Sequence, residues 1–209
     1  EISANRQTFE VGNPKYQQQA IVFNAGYPLA LGELYGFASY SKRDNTSAAF
    51  FRTARDNNTN PQLQDGHATI NNGYLPKIAT SIKDASINLG YAFDLDNGAS
   101  IDASYTHGKN SLRYWTENSI NASFANFLRY HEAQTADEIR HTIPRTAHAY
   151  DLSLSLQTLN LDIMQDLDWA TLAIGLEFRR DHYQVEAGEK YSYFDYNTLD
   201  NQAQYNHDA

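Results

Sequence analysis

The feature that most constrains this chain is the alternation of short and long connections between segments of period-2 sequence. The clearest segment is 84–95. Ala85, Ile87, Leu89, Tyr91, Phe93 and Leu95 fall on one side of an extended backbone, and Asp84, Ser86, Asn88, Gly90, Ala92 and Asp94 on the other, because successive strand side chains point to opposite faces. After Asp96-Asn97-Gly98 the alternation resumes with Ala99, Ile101, Ala103 and Tyr105, the pattern of a β-hairpin. The Asp-rich turn does not fit an EF-hand loop. Ile21, Phe23, Ala25 and Tyr27 alternate ahead of a turn at 28–32 and a second strand from Glu33 to about Arg43. Tyr150, Leu152, Leu154 and Leu156 alternate until the parity changes at Thr158, after which Leu159, Leu161 and Ile163 carry the pattern. A β-bulge at Thr158 is the expected cause. A turn at 165–169 then leads to Leu172, Ile174, Leu176 and Phe178.

Six strands result, at roughly 17–28, 33–43, 80–94, 99–112, 147–164 and 170–187. The short turns alternate with long polar segments at about 44–79, 113–146 and 188–209. Loops beyond about 15 residues are uncommon in compact domains, whereas outer-membrane barrels carry short turns on one rim and long loops on the other. The expected fold class is therefore all-β: an antiparallel transmembrane β-barrel segment of about six strands, with residues 1–209 as one partial barrel domain. Ile87, Leu89, Ile101, Leu154, Ile174 and Leu176 are expected to face outward. Tyr27, Tyr105 and Tyr183 near strand ends suit an aromatic girdle. The competing architecture is a soluble or cell-surface β-sandwich that binds a carbohydrate or protein, since one apolar face per strand would serve there too. A porin without a plug is a third, weaker possibility. Six strands cannot close a membrane barrel, and the chain opens at Glu1 without an initiator Met, so it is expected to be a stretch of something larger.

Composition narrows the function. The net charge is −9, which argues against a nucleic-acid partner. There are no cysteines, which excludes disulfides and thiolate metal sites. No stretch approaches the roughly 20 apolar residues of a spanning helix. A mean hydropathy of −0.63 does not exclude a membrane, because only alternate residues of a spanning strand meet lipid. No nucleophile elbow, P-loop or dinucleotide fingerprint is present, and His131-Glu132 lacks the second histidine of a zinc-protease helix, since Thr135 stands there. The chain is not expected to be an enzyme, and no cofactor or metal is expected.

Several motifs resemble a known family. Tyr35-Gly36-Phe37-Ala38-Ser39-Tyr40-Ser41, with Ser47-Ala48-Ala49-Phe50-Phe51-Arg52 after it, resembles an early barrel region of TonB-dependent outer-membrane receptors. Asn72-Gly73-Tyr74-Leu75-Pro76 looks like the GxLP element of the following loop. Asn118 to Ser123, Ala173 to Tyr183 and Glu186 to Glu189 complete an ordered series from about residue 12 to residue 193. The resemblance implies a barrel of about 22 strands in the bacterial outer membrane, filled by a plug domain. It implies energy-coupled uptake of a ferric siderophore, haem, cobalamin or oligosaccharide. The implied partners are outer-membrane lipid, the plug and remaining strands, a small-molecule solute, and the TonB energy-transducing protein acting through an N-terminal part. Three parts of the family pattern are missing from this sequence: a plug, a partner-binding box and a barrel-closing strand.

Candidate site residues follow from location. Arg113, Tyr114, Trp115 and Arg129 sit in the long segment 113–146, outside the expected strands. Flat rings there can cover a ring of the solute, and the guanidinium groups can bind an anionic one. Glu177, Arg179 and Asp181 alternate on one face of the last strand and are expected to line the lumen against the plug.

Overall fold

Each alternating segment becomes a strand in the computed structural model, which describes residues 8–10 and 14–199. The strands are β1 (Lys15–Leu29), β2 (Gly32–Ala48), β3 (Lys77–Asp94), β4 (Ala99–Glu117), β5 (Ala147–Leu167) and β6 (Ala170–Ala187). They form one antiparallel sheet in sequence order, open along β1 and β6. Two helices, α1 (Ala122–Tyr130) and α2 (Ala136–Thr142), lie in the connection between β4 and β5, and a short helix α3 (Lys190–Tyr193) follows β6. Because neighbours in sequence are neighbours in the sheet, the three short turns leave one end of it and the long connections the other.

The register divides the sheet into two unlike faces. One row of paired residues runs Tyr27, Leu34, Tyr91, Ala103, Leu161, Leu176, and the next on the same face runs Ala25, Gly36, Leu89, Tyr105, Leu159, Phe178. Between them lies a row of the opposite face: Gly26, Tyr35, Gly90, Ser104, Asn160, Glu177. The apolar face stays uncovered. Leu89 is 52% exposed and Leu176 68% exposed. The polar face pairs across its strands instead. The Ser39 and Ser86 hydroxyls meet at 2.7 Å, and the Asn88 amide donates to Thr106 Oγ1 at 2.8 Å. Tyr35 shows why Gly90 is a glycine. Its ring lies across β3, where a Cβ on Gly90 would come within 2.1 Å of it, and its hydroxyl donates to Asp102 on β4 at 2.8 Å.

Each hairpin turns one row lower than the one before it. The closing pairs are Leu29 with Gly32, Leu95 with Ala99, and Leu167 with Ala170. Measured against the row Leu29, Gly32, Phe93, Ile101, Ile163, Ile174, these lie on the row itself, one row below it and two rows below it. One row is about 6.6 Å along a strand, and two inter-strand spacings are about 9.6 Å. A line through the three turns therefore inclines about 35° to the rows, given those spacings. Gly98, at φ +82, supplies the left-handed residue of the middle turn.

Several expectations need correction. β2 runs on to Ala48 and β4 to Glu117, so Arg113, Tyr114 and Trp115 are strand residues rather than loop residues. No register shift occurs at Thr158, which pairs with Thr106 and Arg179; the shift lies between Tyr114 and Trp115, opposite Tyr150 and His148. The parity change at Thr158 is instead an exchange of faces. Leu152, Leu154 and Leu156 share the polar face with Leu112, Ile82 and Val185, whereas Leu159, Leu161 and Ile163 share the apolar one. Leu154 therefore does not lie with Ile87 and Leu89, and Tyr183, its partner, also belongs to the polar face.

Candidate functional site

The two long connections at the end opposite the turns fold onto one another. Leu63 of the first is buried with Leu128, Ala136 and Ile139 of the second, and Phe124 and Phe127 pack against them. Arg140 donates to both carboxylate oxygens of Asp65, at 2.7 and 3.1 Å, and to the carbonyl of Ala68. This fork holds the Asp65 carboxyl down at about 2. Asn60, fully buried, donates to the carbonyls of Thr53 and Ile70 and accepts from the Ile70 amide. Tyr74 donates to the Thr59 carbonyl at 2.6 Å, and burial pushes its hydroxyl up to about 12. Local sequence sets the helices: Asn121 caps α1, and Thr135 and Glu138 form a reciprocal capping box on α2. These bonds hold the cap in its own shape, although Arg129 Nε and Arg140 Nε are buried without a hydrogen-bond partner.

The four residues expected to contact a solute are split among three places. Arg113 and Trp115 belong to the apolar-face side of β4, where Arg113 pairs with Asp151 at 3.5 Å and Trp115 lies 5.4 Å from the His148 ring. Tyr114 points to the opposite face and stacks on Tyr150 at 4.9 Å. Arg129 belongs to the cap, where it donates to the Gln62 carbonyl and lies over the Tyr130 ring at 4.5 Å.

Tyr114 leads to the strongest candidate. It lines a cavity of about 390 Å³ with Tyr16, Arg43, Asn45 and Thr80, on the polar face near the long-connection end. The row is Tyr16, Asn45, Thr80, Tyr114, Tyr150, with Arg43 one row nearer the turns. The Asn45 amide donates to Thr80 at 3.1 Å and holds the floor between the two outer rings. Ring faces beside one guanidinium suit a planar, anionic solute. Sequence reasoning missed Arg43 and Tyr16. Counting back from the turn at Leu29 and Gly32 would have set Tyr16 opposite Asn45 and shown Arg43 on the same face. A second cavity, of about 420 Å³, lies between α1, the start of β5 and the segment after β6. In its lining the Asn121 amide is already used on the Tyr191 and Phe194 carbonyls, and Asn197 Oδ1 is buried without a hydrogen-bond partner.

Glu177, Arg179 and Asp181 share the polar face of β6, and Arg179 pairs with Asp181 at 3.0 Å. Nearer the turns that face also carries Glu33, Asp102 and Asp162 in one row. Among the described residues no group of three or more His, Cys, Asp or Glu side chains could hold a metal ion. Comparison with protein-family models, curated proteins and solved structures finds no match to this chain.

Proposed function

We propose that this chain is an arc of an outer-membrane β-barrel, of the TonB-dependent receptor kind, that takes up a scarce solute. The observation that carries the proposal is the apolar face. From Ala85 on β3 to Leu95 at the turn just after it, the face runs about 33 Å, and at a barrel tilt of about 40° that covers about 25 Å of depth. This matches the lipid-facing band of such barrels, and the 35° stagger of the turns is the tilt that sets all three at one level. A β-sandwich would need a second sheet over Leu89, Ile174 and Leu176, which are exposed here. In lipid, β1 and β6 would leave backbone groups unpaired, so the barrel requires further strands beside both.

In this assignment the polar face lines the lumen. The plug domain contacts Glu177, Arg179 and Asp181, and the solute passes the tyrosine cavity beneath the cap. TonB acts on the plug rather than on these strands. Arg43 and Tyr114 are the primary solute contacts, because they point into the lumen, and Arg113 and Trp115 are secondary.

The test uses the full-length protein in a Gram-negative cell. A cysteine placed at Asn57 of the cap is labelled by a membrane-impermeant maleimide from outside, and one at Asn97 is labelled only after the outer membrane is opened. Equal labelling of both in intact cells contradicts the assignment, as does recovery of the protein in the soluble fraction.

A further inference from the structure

The apolar face ends in a belt of cations. On each of five strands the next residue of that face beyond the last apolar one is basic or polar. Lys42 follows Tyr40 on β2, Lys83 adjoins Ala85 on β3, His107 and Lys109 follow Tyr105 on β4, Gln157 adjoins Leu159 on β5, and Arg180 follows Phe178 on β6. The belt shifts two rows toward the turns between β3 and β6, as the apolar edge does. It therefore follows the same incline as the turns at the other end.

The charge around it is one-sided. The chain carries a net charge of −9, yet on this face no strand residue from the turns up to the Lys42 row is acidic. Asp84, Asp94, Asp102, Asp162, Glu177 and Asp181 all belong to the opposite face. Lys42 and Lys83 stand directly opposite each other. Like charges so placed repel unless an anion lies between them. Lys42 reaches Asp44 at 2.8 Å, and Lys83 acts on the same carboxylate from across the pair, so Asp44 partly offsets both lysines; no carboxylate among the described residues forms an ion pair with Lys109 or Arg180.

We infer that this belt, Lys42, Lys83, Lys109 and Arg180, binds the phosphate groups of lipid headgroups in the leaflet on the long-connection side. The inference rests on the membrane assignment above. The apolar face places acyl chains against Ile87 and Leu89, which brings their headgroups level with the lysines. The long side chains can extend away from the apolar residues toward the phosphates, and opposed Lys42 and Lys83 can share one phosphate.

The test is lipid selectivity at the protein boundary. The full-length protein is folded into phosphatidylcholine vesicles containing traces of spin-labelled phosphatidic acid or spin-labelled phosphatidylcholine. Electron paramagnetic resonance then measures the immobilised boundary fraction of each. The parent is expected to prefer phosphatidic acid about fivefold. The variant K83Q/K109Q/R180Q should bring the two lipids close to parity without changing phosphatidylcholine association. Asp44→Asn, which frees Lys42, should raise the preference. Unchanged selectivity in the triple variant overturns the belt and leaves the membrane assignment standing. Loss of selectivity on adding millimolar inorganic phosphate also overturns it, because the site would then be one for free anions. Absence of an immobilised fraction for either lipid overturns both.

Discussion

Replacing Leu89 by arginine probes the environment of the apolar face most sharply. Leu89 is in β3, flanked by β2 and β4, and lies over Gly36, where an added Cβ would sit 3.1 Å from its Cδ2. It is near the middle of the run from Ala85 to Leu95. At mid-membrane an arginine there costs about 2–4 kcal/mol, and near the interface about 0–1 kcal/mol. In water the expectation differs. Leu89 is 52% exposed, so the change forfeits about half of a leucine's burial, or roughly 1 kcal/mol. The informative quantity is the difference between Leu89→Arg and Ala85→Arg, which should be about 2–3 kcal/mol if lipid surrounds the band. Urea unfolding of the full-length protein from vesicles measures both, with an unchanged m-value as the check on two-state behaviour. A difference of about 1 kcal/mol or less, the value expected in water where exposed Ala85 loses little, would refute lipid exposure of this face.

Other perturbations test the remaining parts. Gly90→Ala should cost about 1–3 kcal/mol by displacing the Tyr35 ring, and much less in a Tyr35→Ala background; equal costs in a double-mutant cycle would remove the contact from the account. Asp65 has its carboxyl lowered to about 2 in the folded cap, so its bond to Arg140 stabilises the cap above the unfolded pKa of about 4 and is lost as pH falls toward 2. Hydrogen exchange at the Ile139 amide should therefore quicken between about pH 4 and pH 2, corrected for intrinsic rates, and Asp65→Asn should abolish that dependence. Arg43→Ala and Tyr114→Ala should each weaken solute binding by the full-length receptor about tenfold or more while leaving folding intact. Trp115→Ala should weaken it less, and the reverse order in isothermal titration would move the site to the other face.

The six strands and three turns were legible because Ile87, Leu89, Tyr91 and Phe93 alternate with polar neighbours and Asp96-Asn97-Gly98 marks a turn. The strand ends were not. From Lys42 to Ala48 and from Arg113 to Glu117 both faces carry polar residues, so the period-2 signal vanishes although the pairing continues. Leu152 to Ile163 misled for a related reason: hydrophobicity changes face without any change in register, and sequence cannot distinguish that from a bulge. Within 113–146 the sequence reading expects only a long polar connection, although Thr135 and Glu138 stand at capping-box spacing ahead of α2. The tyrosine cavity was only half legible: counting from the first turn joins Tyr16 and Arg43, but Tyr114 reaches them through the pairing of β2 with β3, whose register no short turn fixes.

The most direct measurement is the accessibility of single nitroxide labels along β3 in the lipid-folded, full-length protein. The sequence contains no cysteine, so a cysteine introduced in this segment adds a single thiol to it. Labels at 85, 87, 89, 91 and 93 should be relaxed by molecular oxygen dissolved in the bilayer and not by a polar nickel chelate. Labels at 84, 86, 88, 90 and 92 should lack that preference for oxygen. Strong chelate relaxation at 87, 89 and 91 would mean that water, not lipid, meets the apolar face, and would contradict the barrel.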